Sequence, residues 1–473
     1  MAFTQQSQEA LVCGIDVGST NVKVILVDAH ANTVWTRTVA VPRVMQAEGP
    51  STDALALLMM LESMIIEGWR ATGAKTPLAA ISVTGVGEDG VPVAADLRPL
   101  DLAIPWFDRR AEKEAFELKQ QVGECARAGV AIDFSRTAAK WKWLRRHRPQ
   151  VARDARWWIA LTDFPAAWWS QAPFMSETLA ARTACYDVFS REWLTALLDA
   201  CGALPLPRVV KAGGVIGTVV TGSLLDSGAA SRGTLLVAGG HDHPVAASAM
   251  RRLNAQALVD SLGTANLIYD EVPSLEVRGD AYLAFSVPAL GNPGVACLGV
   301  FEFAASLEKF RSSGLSAFLA GDQPPGDPAT LRDVLAAIES PGSSTQLRAS
   351  LDAACLYARC MRDAVRAAGA TASPIYSIGG WARSNALLQL RASVFGEPVI
   401  AVEEDELTAL GVALIARDAV AAASAGSAQD AIRSPLIRNV RMIEPHLEWQ
   451  GIYERNYVEF RAFVGEILHQ RTS

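Results

Sequence analysis

The sequence has little excess charge of either sign and no cysteine pair at metal-binding spacing. Its 473 residues include 43 basic and 50 acidic side chains, a formal net charge of −7. This balance excludes the broad basic surface that binds nucleic acid or anionic membranes. Seven cysteines, none in a CxxC pair and several within apolar runs, indicate reduced core residues of a cytosolic protein rather than a disulfide framework.

The sequence also lacks an uninterrupted apolar run long enough to span a membrane. The two most apolar long windows, around 157–169 and 407–426, contain Asp163 and Arg417-Asp418 respectively. The first ten residues lack the basic start and apolar run of a signal peptide. We therefore expect a cytoplasmic protein that binds small molecules. A homodimer is the expected oligomeric state, because it is the commonest one among soluble oligomers.

The length predicts two domains, because 473 residues exceed the size at which a single core stops growing. The turn Gly18-Ser19-Thr20-Asn21 is partly repeated at Gly263-Thr264-Ala265-Asn266, each time between apolar runs. A motif repeated in this way favours a duplicated fold with one turn in each half of the chain. We predict domains at 1–250 and 251–473.

The segment Leu11–Asp28 organises the first half. An apolar run ends near Asp16, crosses the first turn and continues into a second run rich in Val and Ile, which predicts a β-hairpin. A carboxylate at a strand end can hold Mg²⁺, and a glycine turn lets backbone amides approach phosphate oxygens. Asp-x-Gly turns are also common in hairpins that bind nothing, so the motif alone leaves both readings open.

The elements that follow have a βββαβ order, with strands at 11–17, 22–28, 33–41 and 78–83 and a helix at 52–72. This order predicts an α/β fold of the ribonuclease H-like kind. The last strand runs into a glycine-rich loop that carries Glu88 and Asp89, either as ligand-binding groups or as solvated turn residues.

Two further stretches combine aromatic and charged residues. Trp106, Asp108 and Arg109 precede a helix and could form a sugar site, or a helix N-cap beside a buried tryptophan. The segment 140–169 holds six tryptophans and seven Lys or Arg residues. Because the chain as a whole is acidic, we interpret it as a packed two-helix unit rather than a single-stranded nucleic-acid site.

Gly-Gly pairs follow predicted strands in both halves. Gly239-Gly240 precedes His241-Asp242-His243 at a strand-to-helix junction, where the glycines could bring backbone close to a ligand and Asp242 could act as a general base. Without a fourth ligand nearby, zinc is an unlikely occupant of this His-Asp-His turn. Gly379-Gly380 suits a nucleotide at a helix N-terminus, or an ordinary turn.

The ordered set of motifs resembles the FGGY carbohydrate kinases over residues 11 to about 460. The motifs are D-x-G-S-T at 16–20, a P-W-x-D-x-R-like stretch at 105–110, K-x-x-W-L at 140–144 followed by Asp163, G-G-H-D-H at 239–243, S-L-G-T at 261–264, G-G-x-A-R-S-x-x-L-x-Q at 379–389 and G-x-P-V at 396–399. The resemblance implies two ribonuclease H-like domains of the actin and hexokinase superfamily, with ATP and a sugar in the cleft between them.

The resemblance also implies roles for individual residues. Asp242 matches the catalytic base and, with Asp16, the carboxylates that organise Mg²⁺. The phosphate and adenosine loops are matched by Ser19, Thr20, Lys23, Gly263, Thr264, Gly379, Gly380 and Ala382. The sugar or polyol contacts are matched by Glu88, Trp106 and Asp108, with Asp89, Arg109 and His243 as further candidates.

Two departures concern specificity. Trp381 stands where many members have a third glycine, which puts the shape of the adenine pocket in doubt. The loop at 85–90 is a little more similar to the GVDG-type loop of fuculokinases than to the loops of glycerol kinases or xylulokinases. A non-catalytic sensor with this fold and a superfamily ATPase are the alternatives to a kinase, and the presence of both Asp16 and Asp242 argues against the sensor.

Overall fold

The computed structural model describes residues 10–263, 265–277, 279–290, 294–301, 307, 310, 314–321, 326–339, 347–370, 373–403, 406–425 and 440–472. It divides into two compact units. Unit 1 comprises Met1–Ala249, Ser286–Gly294 and Glu406–Leu436, and unit 2 comprises Met250–Phe285, Val295–Asp405 and Ile437–Ser473. Both units are discontinuous in sequence, and the division of the chain into domains 1–250 and 251–473 stays a prediction.

Unit 1 is built on a six-stranded sheet with the order β13-β14-β6-β1-β2-β3. Strands β1, β2 and β3 form an antiparallel meander, whereas β6 and β14 run parallel to β1. The strands are β1 (Val12–Val17), β2 (Asn21–Val27), β3 (Thr33–Ala40), β4 (Arg43–Gln46), β5 (Gly49–Thr52), β6 (Ala80–Gly85), β7 (Gly90–Val93), β8 (Trp157–Ala160), β9 (Phe174–Ser176), β10 (Tyr186–Asp187), β11 (Glu192–Trp193), β12 (Arg208–Val210), β13 (Val215–Thr218) and β14 (Leu235–His241).

The helices that accompany these strands begin with α1, which buries Leu57, Leu61 and Ile65. The Asp53 side chain caps α1 by accepting hydrogen bonds from two free amides of its first turn. The helices are α1 (Ala54–Ala71), α2 (Glu112–Val122), α3 (Thr137–His147), α4 (Pro149–Asp154), α5 (Phe164–Ser170), α6 (Glu177–Ala180), α7 (Thr195–Cys201), α8 (Ser223–Asp226) and α9 (Asp242–Leu253).

Unit 2 is built on a seven-stranded sheet with the order β17-β18-β16-β15-β19-β20-β21. Its strands are β15 (Leu258–Leu262), β16 (Asn266–Val272), β17 (Ala284–Ser286), β18 (Val295–Phe301), β19 (Ile375–Ile378), β20 (Val399–Val402) and β21 (Val440–Ile443). Its helices are α10 (Ser316–Ala320), α11 (Leu331–Glu339), α12 (Leu347–Ala367), α13 (Asn385–Phe395) and, after α14 (Leu407–Ala425) of unit 1, α15 (Leu447–Thr472).

The two sheets share one topology. In unit 2 the meander β15-β16-β18 is antiparallel, and β19 and β20 run parallel to β15. This is the arrangement of β1, β2, β3, β6 and β14 in unit 1. The prediction of two ribonuclease H-like α/β domains is therefore confirmed, and the connections from β1 to β2 and from β15 to β16 occupy matching places in the two hairpins.

Helix α14 covers the sheet of unit 1 although it lies near the end of the chain. It is long and apolar enough, over Leu407–Ser424, to cross a membrane by length and composition alone. Its side chains Val412, Ala413 and Leu414 are instead fully buried in a core cluster with residues of β1, β2 and β14. An apolar sequence of this kind is also that of an ordinary core helix.

The segment 140–169 differs from the two-helix prediction. The tryptophans are largely buried, as expected, but Trp157–Ala160 forms strand β8, antiparallel to β7, between α4 and α5. A short run of aromatic and β-branched residues is compatible with either structure. Here the free edge of β7 supplies the pairing partner that decides the outcome.

Helix α14 leaves no room for a side chain at Gly14 in β1. An added Cβ would lie 2.3 Å from the carbonyl oxygen of Ala409 and 2.8 Å from Cβ of Ala413. We predict that Gly14→Ala lowers the free energy of unfolding by about 1–3 kcal/mol. Urea denaturation measures the change, with Gly233→Ala as the control because an added Cβ there meets nothing closer than 3.5 Å. Equal stability of the two variants would contradict this packing.

Candidate active site

The first hairpin forms the predicted phosphate turn. The amide of Gly18 donates to the carbonyl of Asn21 at 3.0 Å and closes the turn, which leaves Ser19 part-buried and Thr20 exposed. Lys23 lies directly opposite Asp16 in the register of β1 and β2. Its ammonium group forms an ion pair with Glu406, at the start of α14, a partner that the sequence did not predict.

Asp16 is held in an environment that disfavours its charge. Its Oδ1 atom is buried and has no hydrogen-bond partner among the described residues. Burial raises the pKa of the Asp16 carboxyl to about 7, and the neighbouring Asp242 carboxylate adds to the rise against the opposing effect of Lys23. An unsatisfied carboxylate oxygen beside a second carboxylate fits an oxygen-seeking cation such as Mg²⁺.

Asp242 is the first residue of α9 and directly follows β14. Its Oδ1 accepts the backbone N–H of His243 at 2.7 Å. The Nε2 atoms of His241 and His243 lie 3.1 and 3.8 Å from the same oxygen. The backbone N–H of His243 and the ring of His241 therefore restrict the orientation of the carboxylate through its Oδ1 atom.

The surroundings of His241 disfavour its charged form. Its ring is buried, and burial lowers its pKa to about 3, although the Asp242 carboxylate opposes the shift. The three potential ligand atoms of His241, Asp242 and His243 all lie within 4.8 Å of one another. They supply three donors, and the expectation that zinc does not occupy this turn stays a prediction.

Packing within the protein leaves no room for a side chain at either glycine before Asp242. An added Cβ on Gly239 would lie 2.1 Å from the carbonyl of Val83, and one on Gly240 would lie 2.0 Å from Oγ1 of Thr178. Gly240 also has φ +128°, a conformation that favours glycine. Gly239 therefore lets β14 pass close to β6, and Gly240 lets it pass close to α6, just before Asp242 at the end of the strand.

Glu88 is enclosed by two arginines that the sequence analysis did not single out. Its Oε1 accepts from Arg136 Nη1 at 2.6 Å and from Arg182 Nε at 2.9 Å. Burial opposes ionisation, but the two guanidinium groups outweigh it and hold the pKa of Glu88 well below its usual range. Glu88 is thus an ionised acceptor in the loop after β6.

Asp89 lies deeper than Glu88. Both of its carboxylate oxygens are buried without a hydrogen-bond partner among the described residues, and Nζ of the buried Lys140 lies 3.6 Å from its Oδ1. Burial raises the pKa of Asp89 to about 6 in spite of Lys140 and Arg43. Lys140 also donates to the carbonyls of Glu88 and Ile104, both at 2.9 Å, and so holds the loop in place.

The stretch around Trp106 divides into an exposed and a buried part. Trp106 is 36% exposed, and its indole N–H donates to Ser19 Oγ at 2.8 Å. Asp108 is buried and both of its oxygens accept from Arg110, at 2.8 and 2.9 Å. Arg109 forms an ion pair with Glu112 and lies over the Phe134 ring. Trp106 is therefore accessible, whereas Asp108 is engaged by its neighbour.

In unit 2, the predicted adenosine loop follows β19. Gly379 has φ +94°, and an added Cβ would lie 2.6 Å from the carbonyl of Leu262, whereas Gly380 meets nothing within 4 Å. Ala382 is buried within the 3-10 helix Gly380–Arg383. Gly263 lies in the turn after β15, and Thr264 lies outside the described residues. Gly380 thus offers open backbone of the kind a nucleotide can approach.

The turn that contains Gly263 is anchored by a buried polar network. Asn266 donates to Asp260 Oδ1 at 2.7 Å and accepts from Arg391 Nη2 at 2.7 Å, and Arg391 Nε lies 3.1 Å from Asp260. Asp260 and Arg391 are fully buried. Charged groups so placed hold one geometry strongly, because removal of either would leave the other uncompensated.

Comparison with known proteins identifies the family. The N-terminal domain of the FGGY family of carbohydrate kinases matches residues 11–249, and its C-terminal domain matches residues 302–420. The chain belongs to this family. It is an FGGY carbohydrate kinase that uses ATP to phosphorylate a small sugar, and the resemblance noted in its sequence motifs is confirmed.

Relatives and solved structures agree with this assignment. The chain is 28% identical to a xylulose kinase of Streptomyces coelicolor over 89% of its length and 93% of that protein. A gluconate kinase from Lactobacillus acidophilus has a TM-score of 0.82 at 17% identity, covering 97% of this chain and 98% of that one. A xylulose kinase from Rhodospirillum rubrum has a TM-score of 0.80 at 20% identity, with 98% and 99% coverage. These structures share the fold.

The buried pair of Lys140 and Asp89 leads to a stability prediction. Lys140→Met removes the cation and two carbonyl contacts, and we expect it to cost about 3–5 kcal/mol of unfolding free energy. Lys142→Met on the same helix, at a less buried site, is the control. Adding Asp89→Asn to Lys140→Met should recover part of the loss in urea denaturation, because the unpaired carboxylate is removed. A purely additive loss would contradict the pairing.

Proposed function

We propose that Asp242 is the general base that accepts the proton of the sugar hydroxyl as it attacks the γ-phosphorus of ATP. The observation that carries the proposal is the position of Asp242, at the end of β14 and electrostatically coupled to Asp16. A base must be oriented toward the hydroxyl it deprotonates. The contacts of His243 N–H and His241 with Oδ1 supply that orientation.

Asp16 and Asp242 would hold Mg²⁺. The unsatisfied Oδ1 of Asp16 supports this assignment, since a cation would satisfy it and offset the repulsion between the two carboxylates. When bound, Mg²⁺ would neutralise charge on the nucleotide phosphates. Lys23, although close to Asp16, is engaged by Glu406, so we infer that it keeps the turn in place and contacts phosphate only if this ion pair opens.

The nucleotide would be bound by backbone amides rather than by a cluster of free cations. Gly18, Ser19 and Thr20 form a short turn of the kind that cradles phosphate. Gly263, after β15 in the corresponding hairpin of unit 2, would contribute a further amide, and Thr264 stays a candidate from the family resemblance. Gly379, Gly380 and Ala382 would receive the adenosine. Catalysis would then come mainly from positioning and from exclusion of water as a competing acceptor.

The sugar would be bound by Glu88 and Trp106, with His243 beside the base. The exposed indole face offers a surface for the CH groups of a sugar, and Glu88 is an ionised acceptor for hydroxyl groups. Arg136 and Arg182 carry further N–H groups beside Glu88 and join the candidate contacts. Asp89, Asp108 and Arg109 are engaged or buried, so we assign them to support of the loop.

D-xylulose is the first acceptor to test, because the curated relatives with the strongest coverage are named xylulose kinases. An ADP-release assay with Mg²⁺ and ATP against D-xylulose, other ketoses, aldoses, gluconate and glycerol would identify the acceptor. Release with one class of sugar supports the proposal. Nucleotide turnover that no acceptor stimulates would contradict a sugar kinase function.

The role of Asp242 predicts the behaviour of one isosteric variant. Asp242→Asn cannot accept the proton, and we expect kcat with the identified acceptor to fall by about 10²–10⁴-fold. Asp226→Asn, an exposed aspartate of unit 1, is the control. Retention of wild-type turnover by Asp242→Asn would exclude Asp242 as the base.

The role of Asp16 predicts a change in cation dependence. Asp16→Asn keeps the size of the side chain but removes its charge, and we expect the Mg²⁺ concentration for half-maximal activity to rise by at least about 10-fold. The stabilisation of the protein by Mg²⁺-ADP in a thermal unfolding assay should weaken in parallel. An unchanged Mg²⁺ titration would assign Asp16 a purely structural role.

A further inference from the structure

Two side chains from outside the phosphate turn converge on Ser19. The indole N–H of Trp106 donates to Ser19 Oγ at 2.8 Å. Arg43 Nη2 donates to the Ser19 carbonyl oxygen at 2.7 Å. Both the side chain and the backbone of this one turn residue are therefore fixed by donors from the segments at 43 and 106.

These donors are themselves held in place. The Arg43 guanidinium lies 5.2 Å from the centroid of the Phe107 ring, and its Nη1 donates to Oγ1 of Thr52. The Phe107 ring meets Trp106 edge to face at 5.8 Å. Each of the four residues Arg43, Phe107, Trp106 and Ser19 thus contacts two of the others, which forms a closed cycle of contacts.

The chemistry of the indole group determines what the Ser19 hydroxyl can do. An indole N–H is a donor without an acceptor, so Ser19 Oγ must be the acceptor in this bond. A hydroxyl that accepts one hydrogen bond keeps its own hydrogen to donate elsewhere. The bond from Trp106 therefore leaves Ser19 as a donor, which is what a phosphate oxygen requires.

We propose that Trp106 and Arg43 are positioning residues that hold Ser19 in the conformation in which it donates to a nucleotide phosphate. The inference rests on the proposed function, because it takes the turn at 18–21 as the phosphate turn. It adds to that function a second task for Trp106, whose exposed face is assigned to the sugar, and a task for Arg43, which no motif indicated. One tryptophan then contacts the sites of both substrates.

A double-mutant cycle on nucleotide binding tests this role. Trp106→Phe keeps an aromatic ring but removes the N–H, and Ser19→Ala removes the acceptor. Binding of Mg²⁺-AMPPNP to the full chain is measured by isothermal titration calorimetry. We expect Trp106→Phe to weaken binding by about 2- to 12-fold, the value of one hydrogen bond. In the Ser19→Ala background the same change should have little further effect.

Trp193→Phe is the matched control, because this part-buried tryptophan packs edge-on against Tyr186 instead of the turn. Arg43→Met should weaken Mg²⁺-AMPPNP binding, and Arg43→Lys should recover part of the loss because it retains a donor for the Ser19 carbonyl. A general loss of folding would lower the melting temperature and the binding-competent fraction of each variant, but it would not reproduce this non-additivity or the partial recovery.

The outcomes separate this inference from the proposed function. An unchanged affinity in Trp106→Phe, or equal effects of Trp106→Phe with and without Ser19→Ala, would overturn the positioning role while leaving sugar phosphorylation intact. Failure to find an acceptor in the ADP-release assay would overturn the proposed function while leaving the nucleotide-binding cycle interpretable. Absence of Mg²⁺-AMPPNP binding by the wild-type chain would overturn both.

Discussion

The repulsion between two neighbouring carboxylates is the constraint on which the candidate site depends. Asp16 and Asp242 come from β1 and from the residue after β14, strands that flank β6 in one sheet. Burial of Asp16, and in second place repulsion by Asp242, raise the pKa of Asp16. A protein retains such a pair where a cation or a proton transfer makes use of it. The sheet, the glycines of β14 and the covering helix α14 all serve to hold these two groups in place.

The two units share a topology but differ in the residues at the end of the first strand of the hairpin. Asp16 is the second-to-last residue of β1, the first strand of the hairpin in unit 1. The second-to-last residue of β15, the corresponding strand in unit 2, is Ser261. Unit 2 instead buries its acid, Asp260, in an ion pair with Arg391. The same fold thus presents one carboxylate and one hydroxyl at its two turns.

Local features of the sequence predicted the hairpins, the repeated order of strands and the position of Asp242, because each depends on residues adjacent in the chain. The ion pairs of Lys23 with Glu406 and of Glu88 with Arg182 were not predicted, since partners distant in sequence leave no spacing pattern. That Gly239 and Gly240 bring backbone close to a ligand stays a prediction, whereas their close packing against Val83 and Thr178 was not predicted, because those partners are distant in sequence. The strand at Trp157–Ala160 was missed because pairing with β7 overrides an ambiguous apolar run.

The position of α14 has a consequence for synthesis on the ribosome. Gly14 and Ala413 are in close contact in the core of unit 1 although about 400 residues separate them. At a translation rate of about 5–20 residues per second, roughly 20–80 s pass between the synthesis of β1 and that of α14. During that interval the nascent polypeptide exposes an apolar sheet face, a surface that chaperones bind. The core of unit 1 therefore cannot be completed until α14 has been synthesised.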